Sequence, residues 1–349
     1  MFPLIALAAL SSLAVLALVV DLFDTEDAEE TVDTIEENDG FSLLDDTVPA
    51  DLQSGALSQV AAGAEVIDAD TVRNDYAPTG SVEIEGTDGD DFIDAGVDVE
   101  VSFGGAGDDV LFGADHDQVL FGDEGDDVIF AEGGADQTFG EDGADTLVGG
   151  DGGDLLVGGQ GADVIYGGDG ADTIHTAHVY PIEDAPNTFD VASAGAGDDV
   201  VYVSQGSALI ALGDGDDDVL IYSEYDIADN DPVAIISDFE SGEDQIVIGV
   251  HAPDFTLPDG ASSFEIDYSL TQIDTADGPA TLVIPAVDDE DLLASFVGAN
   301  IGHAVLLGVT PDQVQDGDVR VLVTNTDSNV LAADSIQTLF DAQSVGSTL

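Results

Sequence analysis

The stretch from 140 to 175 decides the fold. It consists of four consecutive units of nine residues: GEDGADTLV, GGDGGDLLV, GGQGADVIY and GGDGADTIH. Related units carry the pattern over residues 86–220. A short repeat of constant length indicates an architecture in which each unit stacks on its neighbours. The period therefore predicts a solenoid for this part of the chain.

Each unit divides into a turn and a strand. Its first six positions hold glycines and carboxylates, and glycine adopts the positive φ angles that tight turns need. Its last three positions hold mostly β-branched, aliphatic and aromatic residues, which favour a short strand. Two units make one coil of eighteen residues, and the eighth position is predicted to point inward. The inward residues are Ile93, Leu111, Leu120, Ile129, Leu147, Leu156, Ile165, Ile174, Val201, Ile210 and Val219, with Ser102 and Thr138 as polar exceptions.

The repeated form G-G-x-G-x-D-x-U-x, in which U is a large apolar residue, resembles a known family. It is similar to the RTX, or haemolysin-type, calcium-binding repeat of secreted bacterial proteases, lipases, epimerases and pore-forming toxins. The resemblance implies an all-β fold, a right-handed parallel β-roll, also called the RTX solenoid. It also implies that Ca2+ is held between turns that stack on the same edge of the roll.

The sixth position carries the predicted metal ligands. Units eighteen residues apart lie on one edge, and parallel strands stack about 4.8 Å apart, so the carboxylates form two repelling rows. Divalent cations between successive carboxylates, completed by turn carbonyls, convert this repulsion into attraction. An all-oxygen ligand set without cysteine favours Ca2+. One edge carries Asp91, Asp109, Asp127, Asp145 and Asp163, and the other carries Glu100, Gln118, Asp136, Asp154 and Asp172.

Intact neighbouring pairs predict four sites on the first edge and two on the second. A later pair, Asp199 and Asp217, is a further candidate, so about six or seven calcium ions are expected. The first glycines of the intact turns are predicted site residues as well: Gly104, Gly122, Gly140, Gly149, Gly158 and Gly167. A disordered Gly/Asp-rich linker is the alternative, but it gives no reason for an inward apolar residue at every ninth position.

The motif is interrupted over 176–193 and returns at 194–202 as AGAGDDVVY. Eighteen residues equal one coil, so we expect a degenerate or looped-out coil, with Asp190 beside Asp172. Histidines stand near this point and earlier in the repeats, at His116, His175 and His178. Ordinary loop histidines are favoured over a transition-metal site, because no cysteine and no further histidine stand nearby.

The charge balance excludes several kinds of partner. The chain has 76 acidic residues against Arg73 and Arg320, and its formal net charge is −74. Such a chain repels nucleic acid and anionic lipid, and its self-repulsion opposes compaction until cations bind. Disulfides and thiolate metal sites are excluded because there are no cysteines.

The N-terminal segments differ sharply in composition. Residues 1–20 form an apolar anchor or signal segment, since 2–20 are uncharged and span about 28 Å as a helix. An uncleaved membrane anchor is slightly favoured over a cleaved signal peptide, because no basic residue precedes the apolar run. Residues 21–80 are predicted to be an acidic linker, mostly disordered, and 81–231 the calcium-binding roll. Both N-terminal interpretations place the chain outside the cytoplasm, secreted or at the cell surface.

Residues 232–349 are predicted to form a C-terminal β-rich cap and secretion region. Short apolar runs such as 245–248 and 280–284 are separated by Pro, Asp and Gly, which predicts antiparallel strands that cover the end of the roll. The segment 236–246, ISDFESGEDQI, resembles one that follows RTX repeats in secreted proteases. The resemblance also suggests a C-terminal signal for the type I secretion machinery in the tail from 335, although the apolar N-terminus leaves the export route open.

These observations predict an extracytoplasmic calcium-binding protein, not an enzyme, whose roll folds when Ca2+ binds. The chain has no H-E-x-x-H zinc-protease motif and no G-x-S-x-G esterase motif. One alternative is a cell-surface adhesin or matrix component that associates with itself. Another is a hydrolase with its active site in residues 232–349.

Overall fold

The computed structural model describes residues 65–68, 82–96, 99–177, 189–204, 206–222, 233–251, 263–275, 278–286 and 302–324. The regular elements in these residues are β-strands, and none of the described residues forms a helix long and apolar enough to cross a membrane. The strands are β1 (Glu65–Asp68), β2 (Val82–Glu85), β3 (Asp91–Asp94), β4 (Val99–Ala106), β5 (Val110–Asp115), β6 (Val119–Glu124), β7 (Val128–Gly133), β8 (Gln137–Asp142), β9 (Thr146–Asp151), β10 (Leu155–Gln160), β11 (Val164–Asp169), β12 (Thr173–His175), β13 (Phe189–Ala196), β14 (Val200–Val203), β15 (Ser207–Asp214), β16 (Asp218–Tyr222), β17 (Val233–Ile236), β18 (Gln245–His251), β19 (Phe264–Ile266), β20 (Tyr268–Thr275), β21 (Gly278–Pro285), β22 (His303–Leu307) and β23 (Val319–Thr324).

The strands form two sheets, and the chain alternates between them along the repeats. One sheet has the order β1-β3-β5-β7-β9-β11-β13-β15-β17-β22-β21-β20, and the other has the order β19-β23-β18-β16-β14-β12-β10-β8-β6-β4-β2. Neighbouring strands of the repeats are parallel, and equivalent positions pair, as Ile129 does with Leu147 and Leu147 with Ile165. This arrangement confirms the predicted all-β parallel roll.

The core between the sheets comes from the eighth position of each unit. Its predicted members from Ile93 to Val219 are fully buried, and so are the polar exceptions Ser102 and Thr138. Successive strand residues point to opposite faces, so the eighth residue faces inward while the seventh and ninth face outward. One apolar side chain per unit, repeated along the stack, thus builds a continuous core from units too small to have one of their own.

In-register pairing also stacks the ninth positions on the outer faces. Phe103, Phe121 and Phe139 form one column, with ring centroids 5.0 Å and 4.9 Å apart. On the other sheet the rings of Phe112 and Phe130 stack at 4.9 Å. This separation follows from the distance between parallel strands, about 4.8 Å. Each aromatic pair adds about 0.5–1.5 kcal/mol beyond the area that it buries.

The interruption of the repeats is a nine-residue insertion within one turn, not a whole coil. Strand β13 pairs with β11 so that Ala192 lies beside Ile165, and β14 pairs with β12 so that Val201 lies beside Ile174. The usual offset of eighteen residues thus becomes 27 at this point, where Asp163 contacts Asp190. The expected pairing of Asp190 with Asp172 is therefore wrong, because the gap holds one further unit together with the inserted residues.

The parallel sheets extend beyond residue 231, where the sequence suggested that the roll ends. Strands β17 and β22 continue one sheet in parallel, and β18 and β23 continue the other. Antiparallel pairing appears only outside them within the described residues, in β20–β21, β21–β22 and β19–β23. The antiparallel prediction is therefore wrong for the inner strands, because short apolar runs carry no information about strand direction. We call the described residues from 233 to 324 the C-terminal cap.

At the opposite end, β1 lies in the stretch that the sequence assigned to linker. It pairs in parallel with β3 and so belongs to the roll, which corrects the linker prediction for residues 65–68. The predictions for the apolar segment 2–20, for the acidic run 21–50, for the tail from 335 and for His178 fall outside the described residues.

Candidate metal centre

The sixth-position side chains form two rows, one along each edge of the roll. In the first row the backbone N–H of each member donates to Oδ1 of the next, from 2.7 Å between Asp91 and Asp109 to 3.1 Å between Asp163 and Asp190. The second row repeats the arrangement. The first row is Asp91, Asp109, Asp127, Asp145, Asp163 and Asp190, and the second row is Gln118, Asp136, Asp154, Asp172, Asp199, Asp217 and Asp244.

The structure therefore brings every predicted metal-binding aspartate into one of the two rows. It adds Asp190 to the first row and Asp244 to the second, while Glu100, expected at the start of the second edge, is exposed. The sequence signal for both additions is weak, because neither follows a Gly-Gly pair. Each does stand before a strand residue that pairs in register with the preceding coil, as Val191 does with Val164 and Gln245 with Asp218.

Most row members have one carboxylate oxygen without a partner. All members of both rows are buried, with at most 5% of the side chain exposed. Among the described residues, no donor reaches Oδ2 of Asp109, Asp127, Asp136, Asp145, Asp154, Asp163, Asp172, Asp190, Asp199 or Asp217. Leaving a buried acceptor unsatisfied costs about 1–3 kcal/mol, and more for a charged group. The rows are therefore unfavourable as bare anions.

Burial is the main reason why these carboxyl groups resist ionisation. The backbone N–H that each Oδ1 accepts lowers the pKa in part, and repulsion from neighbouring carboxylates raises it in many of them. The pKa rises to about 6 for Asp109, Asp136, Asp163 and Asp199, to about 7 for Asp127, Asp172 and Asp217, and to about 8 for Asp145 and Asp190. Groups of this kind need either a proton or a cation beside them.

The first glycine of the intact turns leaves room for an oxygen-lined space. A Cβ on Gly104 would lie 2.5 Å from Asp109 Oδ2 and 2.6 Å from the carbonyl oxygen of Gly122 in the next turn. A Cβ on Gly149 would likewise lie 2.5 Å from Asp154 Oδ2. The same crowding by a sixth-position carboxylate and the next turn's carbonyl recurs at Gly122, Gly140, Gly158 and Gly167. The predicted glycines thus make space for a carboxylate and a carbonyl that approach the same point.

This donor set fits a hard divalent cation. The oxygens are anionic or carbonyl, they are buried, and Ca2+ takes six to eight such ligands. The described residues contain a single arginine, Arg320, whose ion pair is with Glu265 at 3.5 Å and not with either row. In the described part of the chain, no three His, Cys, Asp or Glu side chains are placed to hold one metal ion together, so a bound ion would rely on few carboxylates and on backbone oxygens.

Four segments, 83–111, 112–147, 148–177 and 187–220, match the RTX calcium-binding nonapeptide repeat of the haemolysin type. These segments are RTX calcium-binding repeats. The resemblance inferred from the nonapeptide pattern is thereby confirmed, and RTX repeats bind Ca2+. The four segments together cover less than half of the chain. No curated protein matches it.

Two histidines of the RTX repeats, His116 and His175, contact other protein groups. His116 Nε2 lies 3.0 Å from the carbonyl oxygen of Val99, and the ring of His175 stacks on that of Tyr202 with centroids 4.3 Å apart. Burial lowers the pKa of His175 to about 4, so it is neutral near pH 7. His175 is thus a packed strand residue of β12 and not the loop histidine expected from the sequence.

Proposed function

We propose that this chain is an extracytoplasmic calcium-binding protein whose roll folds as Ca2+ neutralises the two carboxylate rows. The aspartates that would hold the ions are Asp109, Asp127, Asp145, Asp163 and Asp190 on one edge, and Asp136, Asp154, Asp172, Asp199 and Asp217 on the other. The carbonyl oxygens of turn residues, including the first glycines, complete the ligand set. Bound Ca2+ supplies positive charge to oxygens that have no protein partner within the described residues.

The unpartnered Oδ2 atoms are the observation that carries this proposal. Ten buried carboxylates stand one above another in two rows of five, and the net charge of the chain is −74. Closing the roll without cations brings these charges together in a medium of low polarity, where their repulsion is strong. The free energy of calcium binding therefore becomes free energy of folding.

A location outside the cytoplasm follows from the same coupling. A chain whose folding depends on calcium stays unfolded where the free ion is scarce and folds where it is abundant. Two segments support this location: 2–20 as a membrane anchor or signal peptide, and the tail from 335 as a type I secretion signal. Export followed by calcium-driven folding accounts for both the composition and the fold.

Circular dichroism of the full chain against calcium concentration tests the proposal. In EGTA we expect only the β signal of the C-terminal cap, then a cooperative gain as Ca2+ reaches the millimolar range, and a much weaker response to Mg2+, which keeps its water more strongly. Equal spectra in chelator and in millimolar Ca2+ would contradict the proposal. Fractionation of the source cells checks the location, and recovery of the folded protein in the cytoplasm would contradict that part.

A further inference from the structure

The turns of the roll occur in two forms, which differ in what the sixth-position side chain accepts. In a closed turn, the backbone N–H of the second residue donates to that side chain. In an open turn, Oδ2 of the sixth-position aspartate has no donor among the described residues. The closed turns are those of Asp91, Gln118 and Asp244, and the other row members have open turns.

The closed turns share one geometry. The N–H groups of Thr87, Ala114 and Glu240 each lie 2.6 Å from the side-chain oxygen of the residue four positions later. That oxygen belongs to Asp91, Gln118 and Asp244, respectively. A backbone N–H carries a partial positive charge, so it takes the place that a cation would take in stabilising the oxygen.

The open turns share a different geometry at the second residue. In nine of them it has a positive φ angle, between 75° at Glu132 and 120° at Gly168. The nine residues are Gly105, Asp123, Glu132, Glu141, Gly150, Gly159, Gly168, Gly195 and Gly213. The tenth open turn is that of Asp190, which contains the insertion. Glycine adopts this conformation without cost, whereas Asp and Glu adopt it at a cost of about 1–2 kcal/mol. Three non-glycine residues in a costly conformation indicate that the open form is a requirement of the turn.

Gln118 and Asp244 stand at the two ends of the second row. Gln118 accepts the N–H of Ala114 and donates through Nε2 to the carbonyl oxygen of Val99 at 2.8 Å. Asp244 accepts the N–H of Glu240 on Oδ2 and that of Asp217 on Oδ1 at 3.3 Å. Every side-chain oxygen of these two residues already accepts a protein N–H, so the protein itself satisfies both ends of the second row.

The first row has a closed turn at its start but none at its far end. At its start, Asp91 Oδ2 is taken by Thr87 N–H, and Asp91 Oδ1 has no partner among the described residues. At its far end, β13 pairs with β15 so that Asp190 lies beside Ala208, which offers no side-chain ligand. The carboxylates with an open turn therefore run from Asp109 to Asp190 on this edge.

We propose that divalent cations, Ca2+ in the first place, bind only at the open turns, and that the closed turns of Gln118 and Asp244 take none and end the second row. This inference rests on the proposed function and deepens it, because it assigns the ions to particular turns. Asp244 is thus a structural member of the row and not a ligand, although it has the same residue type and position as Asp172.

Native mass spectrometry of the full chain in saturating Ca2+ tests the assignment with two matched variants of the second row. Asp172→Asn and Asp244→Asn remove the same charge from two buried positions, 1% and 5% exposed in the parent protein. We expect Asp172→Asn to bind at least one ion fewer than the parent and to need a higher calcium concentration to fold. We expect Asp244→Asn to lose stability but to bind as many ions as the parent.

The outcomes separate the inference from the proposed function. Loss of an ion in Asp244→Asn, or an unchanged ion count in Asp172→Asn, overturns the inference while calcium binding itself stands. A parent chain that binds no ion and does not fold with calcium overturns the proposed function. A third outcome also supports the inference: Asp172→Asn stays unfolded in calcium while Asp244→Asn folds. Asp244 accepts two protein N–H groups and Asp172 accepts one, so loss of hydrogen bonds alone would harm Asp244→Asn more.

Discussion

The roll and the C-terminal cap use buried aspartates before their strands, but they satisfy them differently. In the roll, Asp172 accepts one N–H on Oδ1, and no donor in the described chain reaches its Oδ2. In the cap, Asp318 accepts the hydroxyl of Ser241 and the backbone N–H groups of Gly242 and Gln315. The cap thus carries its own donors, whereas the roll leaves an oxygen for a cation.

The comparison teaches that a buried aspartate is not by itself a sign of a metal site. What matters is whether the local backbone supplies donors to both of its oxygens. For Asp318, the loop before β18 supplies Gly242 N–H to Oδ1 and the loop before β23 supplies Gln315 N–H to Oδ2, whereas the Gly-Gly turns of the repeats leave Oδ2 without a donor in the described chain. Calcium dependence should therefore differ between the two regions of one continuous pair of sheets.

Removal of calcium is expected to produce the largest contrast between them. Without cations, the roll strands β9 and β10 should exchange their amide hydrogens faster by on the order of a hundredfold or more, because neighbouring carboxylates within each row repel one another. The cap strands β20 and β21 should change much less. Hydrogen exchange with mass spectrometry, with and without EGTA, measures both regions in one sample, and equal changes in the two would contradict the comparison.

The second contrast is a pH dependence of the metal-free roll. The pKa of Asp145 is raised from 3.8 to about 8 in the folded chain, and that of Asp127 to about 7. The folded state therefore binds more protons than the unfolded state between these values, and its stability falls as pH rises from about 4 towards 8. In EGTA, we expect circular dichroism to report more β structure at pH 4.5 than at pH 8.

Saturating calcium is the control for this experiment. Because Ca2+ replaces the protons on the rows, the β signal should then persist at pH 8 and weaken only as acid displaces the metal. A metal-free chain that gains β structure on going from pH 4.5 to pH 8 would show that protonation of the rows does not stabilise the roll.

The smallest expected effect concerns a residue in a costly backbone conformation. Glu141 has a φ angle of 76° at the second position of the Asp145 turn. Glu141→Gly should stabilise the calcium-bound chain by about 1 kcal/mol, because glycine adopts this conformation without steric cost. Urea unfolding in saturating Ca2+ measures the change. Glu141→Gln is the control, since it removes the charge but keeps the strain, and an equal gain in both variants would assign the effect to charge.

The repeat period was sufficient to predict a solenoid, its inward row and the aspartates of the two edges, and the resemblance to RTX repeats added the parallel roll. A period of nine with one apolar position allows hardly any other packing, as the burial of Leu111 and Ile165 illustrates. The position of the insertion was not predictable, because eighteen residues without the motif fit a whole coil as well as one unit and nine extra residues. The direction of the strands in the cap could not be predicted either, since short apolar runs such as the one in β18 occur in both parallel and antiparallel pairs.

The distinction between open and closed turns could not be predicted from the sequence for a related reason. A Gly-Gly pair predicts a positive φ angle at its second residue, but Asp123 and Glu132 have positive φ angles although they are not glycine. The closed turn of Gln118 could not be predicted from the sequence either, because a glutamine in place of the motif aspartate indicates only a degenerate repeat. Which backbone donor it accepts depends on the path of the chain in three dimensions.

The turn that joins β12 to β13 has one more consequence. It is nine residues longer than its counterparts, yet Tyr166 still pairs with Ser193 and His175 with Tyr202. Register is set by the strands, so the rim of the molecule is free to vary in length. We therefore expect a peptide inserted between Ala177 and Phe189 to leave the pairing of the flanking strands unchanged, which would make this position suitable for displaying a foreign sequence.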